Sequence, residues 1–298
     1  MKSIKYTLCL LIILTTVSCA NRNSSYDATG SFEATEIIVS AEANGKILSL
    51  DIMEGDVVDK DNVVGLVDTL QLYLQKMSII ANAKGVRSQT PDIAAQTAAL
   101  NEQIQTLNRE KERTQKLIEA NAANAKQLDD INSQLEVLHK QLSAQTSTLQ
   151  KSSAHIGAQS SALDIQIAQL DDKIYRSKIH SPISGTIINK YAEAGELANI
   201  GKPLFKVADL SNMFLRAYIT NDQLSQLKLN DNVTISVDAG KGDMRQYQGT
   251  VIWISDKSEF TPKTIQTKNE RANLVYAIKI RVANDGFLKI GMYGEVLF

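Results

Sequence analysis

Between Leu70 and Tyr175 the apolar positions fall on a heptad. Leu128, Leu135, Leu142, Leu149, Ile156, Leu163 and Leu170 are spaced by seven, and Ile131 and Leu138 add the intermediate position. A helix of about 3.6 residues per turn keeps such a stripe on one partner only by supercoiling, so the pattern predicts a coiled coil. An earlier stripe, Leu100, Ile104, Leu107, Thr114, Leu117 and Ile118, supplies the partner, and the small residues from Glu119 to Asn124 let the chain turn. The expectation is an antiparallel helical hairpin over 69–176 with its tip near 119–124. The stretch Gly85 to Pro91 should break the first arm, because proline excludes the helical conformation from the residue before it. Ser152 to Ser161, with Gly157, should loosen the second arm at about the same height. Run straight, such a hairpin reaches roughly 75 Å at about 1.5 Å per residue, a length that suits bridging and does nothing for catalysis.

Either side of the hairpin the period shortens. Apolar runs punctuated by glycine, Ile37-Ile38-Val39, Gly45-Lys46-Ile47-Leu48, Gly55-Asp56-Val57-Val58 and Val63 to Val67, read as short strands. A shift of 140 residues lays Gly45 on Gly185, Ile47 on Ile187, Gly55 on Gly195, Val57 on Leu197, Val64 on Leu204 and Val67 on Val207. This is an internal duplication, halves 37–68 and 177–209, with the hairpin inserted between them. Neither half can cover its own apolar face, so the two must pack together, which brings Asp68 and Ser177 to the base of the hairpin. Gly45 and Gly185 are expected at bends where a side chain would clash, Gly55 and Gly195 in turns that need positive φ. From 210 to 298 alternating runs such as Phe214 to Ile219, Val233 to Val237, Gly249 to Ile254, Tyr276 to Val282 and Glu295 to Phe298 predict a small barrel of five or six strands. One short helix, Asp222 to Leu227, should be capped by Asn221. The fold class is therefore α+β and multi-domain.

Charge changes this picture little: 32 Lys+Arg against 33 Asp+Glu leaves a net charge of −1, which recommends no nucleic-acid partner. The first residues do change it. Lys2 and Lys5 precede an apolar run, Tyr6 to Val17, too short to span a bilayer, which takes about 20 residues. Residues 1–18 read as a processed signal and 19–36 as a tether. Once Cys9 is removed, Cys19 is the sole thiol, so no internal disulfide forms. No nucleophile–base pair stands in a loop context, and Gly240-Lys241-Gly242 lacks the spacing of a phosphate-binding loop. The three histidines, His139, His155 and His180, are scattered, without metal-ligand spacing. The expectation is a protein that is not an enzyme and takes no cofactor or metal.

Several stretches resemble known families. Thr16-Val17-Ser18-Cys19 is similar to a bacterial lipoprotein signal, with Thr16 in place of the usual leucine, which implies acylation of Cys19 and attachment to a membrane. The paired halves resemble a biotinyl/lipoyl-type barrel-sandwich domain, and its division by a coiled-coil hairpin resembles the periplasmic adaptors, or membrane fusion proteins, of the HlyD family. Carriers of biotin or lipoate present a lysine on a hairpin; Asp51 to Glu54 and Tyr191 to Ala194, the matching positions here, hold none. Arg113, Leu117 and Asn124 resemble the Arg-x3-Leu-x6-Ser tip motif with which such adaptors engage a TolC-like outer-membrane channel, with Asn for Ser. Phe260 to Thr267 and Glu270 to Tyr276 resemble the barrel of the branch that serves ABC-type exporters, and Gly291 to Val296 its closing turn and strand. The resemblance implies an adaptor in a tripartite efflux or secretion system. It would join an inner-membrane transporter, ABC type favoured over RND, to the channel, as a ring of six copies held at the inner membrane by Cys19. Many such adaptors carry a further membrane-proximal domain; the short lead-in and the stop at Phe298 lead one to expect it to be absent or rudimentary here. The rival reading is a substrate-binding or group-carrier lipoprotein using the lipoyl-like domain.

Overall fold

The computed structural model describes residues 26–240, 242–260 and 274–298. Cys19, the signal segment and the Thr261–Thr267 and Glu270–Asn273 stretches lie outside the described residues. The elements follow in order: β1 (Ala28–Ser40), β2 (Gly45–Leu50), β3 (Val57–Val58), β4 (Val63–Val67), α1 (Leu70–Arg87), α2 (Ile93–Glu119), α3 (Ala125–Arg176), β5 (Lys178–His180), β6 (Gly185–Lys190), β7 (Leu197–Ala198), β8 (Pro203–Thr220), α4 (Asn221–Leu224), β9 (Asn232–Gly240), β10 (Asp243–Phe260), β11 (Leu274–Ala283) and β12 (Tyr293–Leu297).

The sandwich is built from two matching four-strand layers. One has the order β5-β4-β2-β7; the other, β1-β8-β6-β3, is its image under the 140-residue shift. Hydrogen bonds cross between the halves reciprocally. Gly55 N–H donates to Ile187 O and Gly195 N–H to Ile47 O, both at 2.8 Å, while Ile47 N–H donates to Glu196 O (2.8 Å) and Ile187 N–H to Asp56 O (2.9 Å). Each half thus completes the other's ladder. Ile47, Val67, Ile187, Leu204, Phe205 and Val207 fill the space between the layers, and a fully buried Ile or Leu contributes on the order of 2 kcal/mol.

β1 and β8 continue past the sandwich into the barrel. Thr35 to Ser40 pair with Asp209 to Pro203, and after a shift at Glu33/Thr35, Thr29 to Glu33 pair with Tyr218 to Phe214. The closed barrel has the order β1-β12-β9-β10-β11-β8, around Phe32, Leu215, Ile219, Ile235 and Ile280. Here the sequence expectation needs correcting. Residues 28–36 are not tether; Ala28 to Ser31 pair with Val296 to Tyr293 and close the barrel. The alternation of Ala28, Gly30, Phe32 and Ala34 hides this strand, because three of its four inward residues are small. The boundary drawn at 209/210 likewise falls within one unbroken strand, β8. The short helix α4 is capped by Thr220, not Asn221: the Thr220 hydroxyl and Gln223 side chain form a capping box, and the helix ends at Leu224.

The hairpin is asymmetric. Gly85 lies inside α1, and the break falls at 88–92, after which Asp92 caps α2 by accepting from Ala95 N–H at 3.0 Å. The second arm shows no loosening: α3 is one helix of 52 residues through Ser152–Ser161. Serine and glycine are poor helix formers, but each costs at most about 1 kcal/mol, and packing of Ile156 and Ser160 into the seam outweighs that. At the base, Val67 N–H donates to Ser177 O at 2.8 Å, tying the two arms together.

A Cβ at Gly185 would meet Ala208 O at 2.4 Å, whereas one at Gly157 meets nothing within 4 Å. Gly185→Ala is therefore expected to destabilise the protein by about 1–3 kcal/mol, and Gly157→Ala to stabilise it by about 0.5–1 kcal/mol. Urea unfolding midpoints of the two variants check both signs.

Candidate functional site

The hairpin tip is organised by where the seam stops. On α2, Thr97, Ile104 and Thr114 are buried and Leu100, Leu107 and Ile118 half-buried; these face α3. Ile118 is the last seam layer. Leu117 lies off the seam and is 40% exposed, and Arg113, one turn earlier, shares its outward side. Arg113 makes no ion pair among the described residues. The chain then reverses through Asn121, whose φ of 57° is left-handed, with Ala122 N–H donating to Leu117 O at 2.8 Å. Asn124 takes an extended backbone (φ −95°, ψ 137°) and caps α3, its side-chain oxygen accepting from Lys126 N–H at 3.1 Å. Asn124 is exposed, and its amide NH2 group, with two donors, makes no hydrogen bond among the described residues. The tip thus offers a guanidinium, a leucine side chain and an amide within two helical turns.

The four glycines stand in pairs. Gly55 (φ +95°) and Gly195 (φ +97°) occupy left-handed turns with open space around them, so only backbone conformation selects glycine there. At Gly45 a Cβ would meet Val67 Cγ1 at 2.9 Å, and Gly185 is closed off by the Ala208 carbonyl. The turns at 51–54 and 191–194 bury Ile52 and Ala192 as equivalent plugs.

The hairpin root holds a group that sequence reasoning missed. Tyr175 stacks on His180 with ring centroids 5.1 Å apart. Arg176 bonds Asp172 through Nε at 2.8 Å and Glu42 through Nη1 at 3.1 Å, so it joins α3 to the end of β1. Asp172 first, then Glu42, hold the guanidinium above its ordinary pKa. Glu42, Tyr175, Arg176 and His180 line a cleft of about 210 Å³ together with Ser40, Asp61 and Lys178. Glu42 and Arg176 are 134 positions apart, and no local pattern announces the pair. Among the described residues no cluster of metal-ligating side chains forms, and no helix is long and apolar enough to cross a membrane.

No protein-family model matches the chain. It is similar to a UPF0194 membrane protein encoded in the asrC 5' region of Acidithiobacillus ferridurans, 24% identical over 288 residues that cover 88% of this chain and 83% of that one. A UPF0194 membrane protein of Citrobacter koseri is 26% identical over 284 residues, covering 88% and 85%. Among solved structures, MacA from Actinobacillus actinomycetemcomitans superposes with a TM-score of 0.52 at 21% identity, covering 90% of this chain and 76% of that one. The duplicated sandwich, inserted hairpin and small barrel are thus a fold shared with MacA.

Replacing Asn124 by Ala should remove the α3 cap at a cost of about 0.5–2 kcal/mol to the first turn, while Ser should keep it. Hydrogen exchange at Lys126 and the amides beside it should quicken in Asn124→Ala and stay slow in Asn124→Ser.

Proposed function

We propose that this chain is a non-enzymatic adaptor subunit of a tripartite efflux or secretion assembly. It joins an inner-membrane transporter, ABC type favoured over RND, to a TolC-like outer-membrane channel. The observation that carries the reading is the projecting hairpin: a helix of 52 residues, pinned at its base by the sandwich, ends in an exposed tip bearing Arg113, Leu117 and Asn124. At about 1.5 Å per residue that helix is roughly 78 Å long, a reach across an aqueous gap. Arginine can donate to the carbonyls ending a partner's helix while the leucine fills the adjacent groove.

The start of β1 supports an orientation. From Cys19 to the first described residue, Tyr26, the chain spans at most roughly 25 Å when extended. Acylation of Cys19 would therefore hold the barrel, which begins at Ala28, against the membrane that carries the lipid. The two-fold of the sandwich carries the hairpin's points of departure, Asp68 and Ser177, onto those of the barrel, Ala208 and Ile37. Barrel and hairpin thus leave the sandwich at equivalent, separate places. With the barrel near the inner membrane, the hairpin is free to meet the channel.

A photo-crosslinking residue at position 124 should capture an outer-membrane channel in intact cells, and Arg113→Asp with Leu117→Asp should abolish the adduct and the export it supports. Export that persists in the double variant, with no channel adduct from position 124, sinks the reading.

A further inference from the structure

The outer wall of the barrel collects cations that its own sheet does not neutralise. On β8 and β11, Leu215, Ala217, Ile278 and Ile280 are buried in the barrel core, so the alternate positions Phe214, Arg216, Lys279 and Arg281 face outward. Arg216 stands directly opposite Lys279, and Arg281 opposite Phe214 on the same face. Like charges set opposite one another across a ladder are unfavourable. Lys279 and Arg281 make no ion pair among the described residues, and Glu259 meets Arg216 only at 3.5 Å, the limit of a hydrogen bond. Arg216 Nε is buried with no hydrogen-bond partner among the described residues. Glu33, opposite Phe214 on β1, bonds none of the three cations, so the wall keeps surplus positive charge. Aromatic rings are interleaved with it. Lys279 Nζ lies 4.9 Å from the centre of the Phe214 ring. Trp253, the chain's one tryptophan, stands opposite Lys279 on β10 and is 44% exposed. An indole left in water beside cations matches the headgroup level of a bilayer, where tryptophan settles at the interface and lysine and arginine reach the phosphates.

We infer that this wall lies on the headgroups of an anionic phospholipid bilayer, with lipid phosphates neutralising Arg216, Lys279 and Arg281 and Trp253 entering the interface. The inference rests on the adaptor reading, in which acylated Cys19 holds the barrel at a membrane, and names the side of the barrel that turns to that membrane. The occupant follows from reach and from charge. Ser31, opposite Arg216, lies five residues beyond Tyr26, so the wall starts about 17 Å along β1 from the end of the tether. A tether of at most roughly 25 Å keeps that wall beside the phosphates of the bilayer that holds the lipid. An acidic protein surface would answer the charge alone. Phosphates with the interfacial layer beneath them answer the cations and the half-exposed indole together. Two points of attachment, lipid and wall, fix the orientation of the barrel as well as its height, which a flexible tether alone does not.

Trp253 reports the contact directly, since all tryptophan emission of the full chain comes from it. In vesicles of equal parts phosphatidylglycerol and phosphatidylcholine, that emission should move to shorter wavelength and be quenched by lipids brominated in the upper acyl chain. Pure phosphatidylcholine vesicles should leave it as in buffer, and about 1 M salt, which shortens the screening length to about 3 Å, should reverse the shift. Each basic side chain at an anionic surface favours contact about fivefold, so Lys279→Gln with Arg281→Gln should lower the ratio of docked to free wall about 25-fold and abolish the shift. Circular dichroism should stay unchanged, because both side chains lie outside the barrel core. An equal shift in pure phosphatidylcholine overturns the inference, as does a shift produced by inorganic phosphate without vesicles, or no shift in either vesicle. A shift that appears only when an inner-membrane transporter is added assigns the wall to an acidic protein surface and overturns it too. In each of those cases a channel adduct from position 124 would still stand, so loss of this contact is separable from loss of the adaptor reading.

Discussion

The structure depends on the reciprocal pairing of two half-sandwiches. Each half is too small to bury one side of its sheet, and the chain solves this by exchange: β3 of the first half lies on β6 of the second, and β7 of the second on β2 of the first. Ile47 and Ile187 sit at equivalent points of that exchange, each accepting from the opposite half's turn glycine and donating to the carbonyl beside it. Half of the sandwich without the other would leave these groups unpaired and Phe205, Leu204 and Val207 without a facing layer. Everything inserted between the halves is therefore closed at its base before it has any stability of its own.

That matters because the hairpin core is thin. Its seam is a single line of side chains, several of them polar: Thr97, Thr114 and Ser160 are buried there beside Ile104, Ile131 and Leu135. The Thr97 hydroxyl satisfies itself on Ile93 O at 2.8 Å. Two helices of this composition, free in solution, would gain little over the entropy of ordering them. Anchoring both ends at the sandwich removes most of the loop-closure cost.

Much of this was legible in the sequence because two periodicities are strong. The seven-residue spacing from Leu128 to Leu170 and the 140-residue repeat of Gly45, Ile47 and Gly55 each tie many positions to one geometry. What was illegible has physical reasons. The barrel strand in 28–34 has small inward residues, so its alternation is faint, and its partners lie at the other end of the chain. Ser152 to Ser161 reads as weak helix locally, yet tertiary contacts override propensity. The Arg176–Glu42 link and the apolar back of α1 depend on which positions the seam consumes. A heptad reading of α1 shows apolar residues nearly all round, and only the observed register, held by the Lys76–Asp171 ion pair, says which of them are left over.

The same elements set where the molecule can bend. Between barrel and sandwich, β1 and β8 run through both without a linker, joined along their length and braced by Lys206–Glu36 at 2.8 Å, so the two move together. A ladder interrupted only by register shifts at Glu33/Thr35 and Val39/Ser40 twists but does not fold over. In the hairpin, by contrast, one arm is broken at 88–92 while the other is continuous. Bending there can occur only by curving α3, because the Arg87–Asp164 pair keeps the broken arm in register just below the break. The long helix acts as a leaf spring and the break as the slack that lets it flex. Displacement at the barrel would then reach the tip as a tilt of a stiff lever, with its compliance concentrated where one arm alone carries the load.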